Sequence, residues 1–132
     1  AAFPNLHISL NGGLVSLDDA LLHLEAGLDG IMIGRAAYHS PADILCAADR
    51  RVFGEGEDTA PEDAVQAMLP YIERHLSSGG RLHQVTRHML GLFAGRPGAR
   101  AWRRALSDCA ARPGAGPEQV RQALGHIIPR AA

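Results

Sequence analysis

Apolar and polar positions alternate from Leu6 to Leu10 (LHISL), a period-two pattern that predicts a short strand, and Asn11-Gly12-Gly13 stops it as a tight turn. Leu17, Ala20, Leu21, Leu24 and Leu28 then recur at helical spacing. Ser16 is placed to cap that helix, with Asp19 three residues on, and Gly27 to end it. The next apolar run, Gly30-Ile31-Met32-Ile33-Gly34, is too short for a helix and rich in branched residues, which predicts a buried strand. Strand, helix and strand in so short a stretch make a βαβ unit with parallel pairing, the repeating piece of α/β folds.

Beyond Pro41 every periodic segment is helical. One helix is expected over Pro41 to Phe53, followed by the acidic, Gly-containing stretch that begins GEGED. Thr59 and Glu62 form a capping-box pattern for a helix running to about Ser77, with a kink expected at Pro70 and closure at Gly79-Gly80. Leu82, Val85, Met89 and Phe93 predict another helix, ended by Gly95-Arg96-Pro97-Gly98; Ala99 to Ala111 and Pro117 to Ile128 predict two more. The expected organisation is therefore an α/β piece over residues 1–53, a linker over 54–63 and a helical bundle over 64–132. Two parallel strands leave a sheet uncovered, whereas parallel sheets are normally covered on both faces. Either more of the same protein lies upstream or another chain completes the sheet.

Composition narrows the class. With 132 residues, 46% of them hydrophobic, the chain suits one ordinary globular domain or two small ones. No apolar run reaches bilayer length and AAFPNLHISLNGG lacks a signal-peptide pattern, so a soluble cytoplasmic protein without membrane contact is expected. Cys46 and Cys109 have no cysteine partner at metal-ligand spacing and are expected as buried apolar thiols. His75, His83 and His88 are not spaced i, i+4 and lack a completing carboxylate, so no metal site is predicted.

The near-neutral net charge conceals a division. Up to Gln66, Arg35, Arg50 and Arg51 stand against eleven acids; after it, ten arginines stand against Glu73, Asp108 and Glu118. A basic half of this kind suits a polyanion, because neutralised phosphates release counterions. Arg100, Arg103 and Arg104 share one helical face beside Trp102, a candidate base stacker, while Arg81, Arg87 and Arg96 come from the adjoining helix and loops. In the acidic half, Asn11-Gly12-Gly13 and Gly34-Arg35 each fall where a strand ends. Freed backbone N–H groups and one guanidinium at neighbouring strand ends make a candidate phosphate site.

The runs LNGG, DGIMIGRAAYHSP and YIERHLSSGGRLHQVTRHMLGLFAGRPGARAWRRALS closely resemble the C-terminal portion of tRNA-dihydrouridine synthases, specifically the A subfamily acting on uridines 20 and 20a of the D-loop. The resemblance implies a fold made of the last two βα units of a TIM-type barrel, followed by a small helical bundle that binds tRNA. It implies an FMN-dependent oxidoreductase in which NADPH reduces the flavin and a cysteine donates the proton. Asn11, Gly12, Gly13, Gly34 and Arg35 match the turns that hold the FMN phosphate, and Arg100 and Arg103 match the tRNA-binding arginines, with Arg87 and Arg104 alongside. Neither Cys46 nor Cys109 matches the catalytic cysteine, so this chain is expected to carry no catalytic residue, to need the N-terminal barrel portion of the same protein, and to be inactive alone. A competing expectation, from a different class, is a stand-alone RNA-binding helical module with a vestigial βαβ piece and no cofactor.

Overall fold

The computed structural model describes residues 5–110 and 112–127, which divide after Asp58 into two compact units. The helix ends expected at Ala111 and Ile128, and the basic residue Arg130, lie outside the described residues. Among those described are seven α-helices and two parallel strands.

The first unit runs β1 (Ser9–Asn11), α1 (Leu17–Glu25), β2 (Gly30–Met32), α2 (Arg35–His39) and α3 (Pro41–Leu45). The strands pair in parallel, with Ser9 opposite Gly30 and Asn11 opposite Met32. A parallel pair brings both carboxyl ends to one edge, and α1 is the crossover that makes this possible. Ser16 caps α1 as its sequence suggests, its Oγ accepting from the Asp19 N–H at 3.1 Å. The first strand is later and shorter than LHISL implied: Ile8 pairs with Asp29 instead, donating to its Oδ2 at 2.8 Å and accepting from its N–H at 3.1 Å.

The single helix expected over Pro41 to Phe53 is broken. It stops at Leu45, and the chain re-forms one wide π turn at Asp49–Phe53. Apolar spacing over one turn cannot distinguish α from π winding. The wide turn is framed by ion pairs its sequence does not announce, Arg50 with Asp58 at 2.7 Å and Arg51 with Asp18. Among the described residues of this unit only Leu17, Ala20 and Ile44 are buried apolar ones, whereas Val15, Phe53, Leu22 and Leu45 are 60–71% exposed. Cys46 and Cys109 are half-buried rather than buried, Cys46 beside the α3 end and Cys109 near the end of α6 in the second unit.

The second unit contains α4 (Pro61–Ser77), α5 (Leu82–Thr86), α6 (Ala99–Ala110) and α7 (Pro117–Leu124). Val65, Leu69 and Ile72 form the inner stripe of α4, and Ala99, Trp102 and Leu106 that of α6; with Val120 and Ala123 of α7 they close one core. The capping box expected at Thr59 and Glu62 is absent. Ala60 is the N-cap without a side-chain bond, Pro61 opens the helix, and Glu62 is drawn into a tertiary ion pair. The helix through Leu82, Val85, Met89 and Phe93 is likewise shorter than predicted. After Thr86 the chain advances through i→i+3 turns, including Met89 N–H to Thr86 O and Leu92 N–H to Met89 O. All four apolar side chains still enter the core, because three-residue and four-residue turns both return them to the same side.

Candidate functional site

In the first unit the in-register strands place the turn after Asn11 beside the turn after Met32. Gly12 and Gly13 take φ of 108° and 76°, a left-handed conformation that side-chain-bearing residues rarely adopt, while a Cβ at either would meet nothing within 4 Å. Their requirement for glycine is therefore conformational, and the space beside them stays open. Asn11, Gly12, Gly13, Gly34 and Arg35 all line one cleft of about 650 Å³. Met32 and His39 line it too; sequence reasoning missed both, although His39 stands four residues from Arg35 on α2 and so shares its face.

The charge in this cleft is one-sided, since no Asp or Glu lines it. The unit's other arginines, Arg50 and Arg51, are taken by Asp58 and Asp18, whereas Arg35 is exposed with no carboxylate in ion-pair range among the described residues. The N–H groups of Arg35 and Ala36 open α2 and have no acceptor within that helix. An anion with several oxygens, such as a phosphate, would be met here by a guanidinium and backbone donors.

In the second unit Arg100, Arg103 and Arg104 are exposed on α6, opposite its buried Ala99, Trp102 and Leu106. Arg104 shares a loose ion pair with Asp108 at 3.6 Å; Arg100 and Arg103 have no carboxylate in range among the described residues. Arg87 is exposed, its Nε donating to His88 Nε2 at 2.9 Å.

Two residues expected near this basic face belong to the interior instead. Trp102 is fully buried, donates from Nε1 to the Met89 carbonyl at 3.1 Å, and meets Phe93 edge-on at 5.0 Å between centroids. It cannot stack on a base, because the hydrophobic stripe of α6 runs through it. Arg96 pairs with Glu62 and lies over the Phe93 ring at 5.2 Å, with its side chain only 19% exposed. Its partner lies 34 residues away, so no local signal identified the pair.

The Arg96 guanidinium lowers the Glu62 carboxyl below its ordinary 4.5 by hydrogen bonding to it, against the opposing effect of burial. A depressed folded-state value stabilises the unit above the unfolded-state value and withdraws that support as pH falls through the folded-state value. Urea unfolding should therefore become easier below about pH 4.5, and Glu62→Gln should weaken the unit at neutral pH while flattening that acid limb. An unchanged acid limb in the variant would remove Glu62 from this role.

Among protein families, residues 1–128 match the dihydrouridine synthase (Dus) family. The chain is 54% identical over 123 residues to a tRNA-dihydrouridine(20/20a) synthase of Salmonella typhi, a stretch covering 92% of this chain and 36% of that protein. Against proteins of the same name it is 52% identical over 126 residues for Vibrio cholerae, covering 95% and 38%, and 52% identical over 123 residues for Escherichia coli K12, covering 92% and 35%. It thus spans little more than a third of the length of these relatives. A match along nearly the whole of this chain, at about half identity, makes it a member of the dihydrouridine synthase family.

Proposed function

We propose that this chain is the C-terminal portion of a cytoplasmic, FMN-dependent tRNA-dihydrouridine synthase that reduces uridine 20 or 20a of the tRNA D-loop with NADPH. On this reading the first unit is the last two βα units of a TIM-type barrel, the segment after Phe53 links it onward, and the helical unit that opens with α4 at Pro61 is the tRNA-binding domain. The observation that carries the cofactor part is the convergence of Asn11, Gly12, Gly13, Gly34 and Arg35 on one cleft without a carboxylate. FMN bound there would supply hydride-transfer chemistry. This chain's residues would hold its phosphate end: Arg35 by charge, the Gly12-Gly13 turn by an open approach, and Asn11 from the strand end. The proton donor and the groups around the flavin ring would come from the rest of the barrel, which leaves the isolated chain without catalysis.

Arg35→Ala, made in the protein with its full barrel, should weaken FMN binding about 10- to 100-fold, the loss of one charge-assisted contact of about 1.5–3 kcal/mol. Quenching of flavin fluorescence measures it, and parent-like affinity would exclude the phosphate role. For the RNA part, support comes from Arg100 and Arg103 on α6, which meet no carboxylate among the described residues. Arg100→Glu with Arg103→Glu should lower tRNA affinity at least about tenfold and reduce the slope of log affinity against log salt by about 1.5. An unaltered slope would show that neither arginine meets a phosphate.

A further inference from the structure

A second cleft of about 660 Å³ opens in the helical unit, between the start of α5 and the loop that leads into α7. Arg81, His83 and Arg112 line it, all three exposed, and no Asp or Glu does. Leu76 and Ala115, both half-buried, supply apolar lining, while Leu82, 2% exposed, offers little surface of its own. Like Arg100 and Arg103, the arginines of this cleft differ from those that the unit's carboxylates have taken. Arg96 pairs with Glu62, Arg104 with Asp108 at 3.6 Å, and Arg121 with Glu118 at 3.5 Å and Glu73 at 4.0 Å, whereas Arg81 and Arg112 reach no carboxylate among the described residues.

Hydrogen bonds hold the backbone on both sides of the cleft. Gln84 Oε1 accepts from the Arg81 N–H at 2.8 Å and is 2.9 Å from His75 Nε2, which fixes the backbone at the mouth of α5. Across from it, Gln119 Oε1 accepts from the Gly116 N–H at 2.7 Å, and Arg112 is held in a turn by its N–H to Cys109 O at 3.0 Å and its carbonyl from Ala115 N–H at 3.2 Å. The side-chain amides and turns satisfy the backbone, so the two guanidiniums are left to face solvent and whatever enters.

We propose that this cleft binds an RNA backbone phosphate between Arg81 and Arg112, with the attached nucleoside against the apolar lining, as a contact additional to the α6 arginines. Guanidinium forks pair phosphate oxygens bidentately, and an apolar surface beside them accepts a sugar or base face. The proposal rests on the tRNA-binding reading and extends the nucleic-acid footprint to a second part of the same unit.

The test uses the protein with its full barrel and a tRNA transcript, with binding followed by fluorescence anisotropy from about 50 to 200 mM salt. Arg81→Gln with Arg112→Gln should weaken binding at least about tenfold and lower the salt slope by about 1.5, while the corresponding double lysine variant keeps the slope. The urea midpoint, read from tryptophan fluorescence, should stay at the parent value in both variants. Parent-like affinity and slope in the glutamine variant overturn the cleft assignment. If Arg100→Glu with Arg103→Glu still weakens binding in that case, the cleft alone is wrong; if neither pair matters, the tRNA-binding reading fails with it.

Discussion

Gly98→Ala should destabilise the helical unit by about 3 kcal/mol, more than its small size suggests. Two costs combine. Gly98 has φ of +84°, and a left-handed conformation costs a residue with a Cβ about 1–2 kcal/mol. A Cβ there would also stand 2.0 Å from the His126 carbonyl oxygen and 3.1 Å from the Ile127 Cα, both backbone atoms that cannot rotate away. The segment after α7 would have to move, withdrawing Ile127, now 8% exposed, from the core. Overpacking of this kind costs about 1–3 kcal/mol on its own. Gly95→Ala is the matched control, since its φ is +75° but no atom lies within 4 Å of the added carbon. It should carry the conformational cost alone, about 1 kcal/mol. Urea unfolding of the two variants measures the difference, and equal midpoints would mean that the contact with residues 126–127 is not made in solution.

Trp102→Ala should cost about 3–5 kcal/mol, a large share of the about 5–15 kcal/mol that keeps a typical domain folded. The indole is fully buried where α6 meets the Phe93 turn, and its removal opens a cavity and takes one of the two donors from the Met89 carbonyl, which keeps the Leu92 N–H. Trp102→Phe should recover most of the packing yet still lose about 0.5–1.5 kcal/mol with the indole hydrogen bond, the Met89 carbonyl keeping its bond from the Leu92 N–H. Because the ring is internal, Trp102→Leu should lower stability while leaving the tRNA affinity of the folded fraction unchanged. A leucine variant with parent-like stability and weakened RNA binding would return Trp102 to the surface as a base stacker.

What was legible in the sequence followed short-range physics. Ser16 and Asp19 marked the start of α1, and parallel pairing needed only the βαβ order to set the ends of LHISLN and GIM side by side. Hence the five candidate phosphate residues could be named from two turns, and they do line one cleft. The misreadings share a different origin. Apolar spacing at 82, 85, 89 and 93 identified which side chains face inward but not whether the turns between them close over three or four residues. A count of arginines identified a basic surface but not its members. Which guanidiniums are available depends on carboxylates brought in from elsewhere, and Glu62, distant in sequence, removes Arg96 from the set. Arg112 was overlooked for the converse reason: it stands alone in a loop, and only the approach of the α5 start gives it company.

The single tryptophan of the chain lies wholly within the helical unit, at the centre of its core. Its emission therefore serves as a selective reporter. A shift to longer wavelength on heating records water reaching the α6 core and is silent about the first unit, where Tyr38 on α2 is the described tyrosine. Far-ultraviolet circular dichroism, by contrast, sums the helices of both units. Two melting curves recorded on one sample would thus time the loss of each unit separately, and bound flavin or RNA could be assigned to the unit whose curve it displaces.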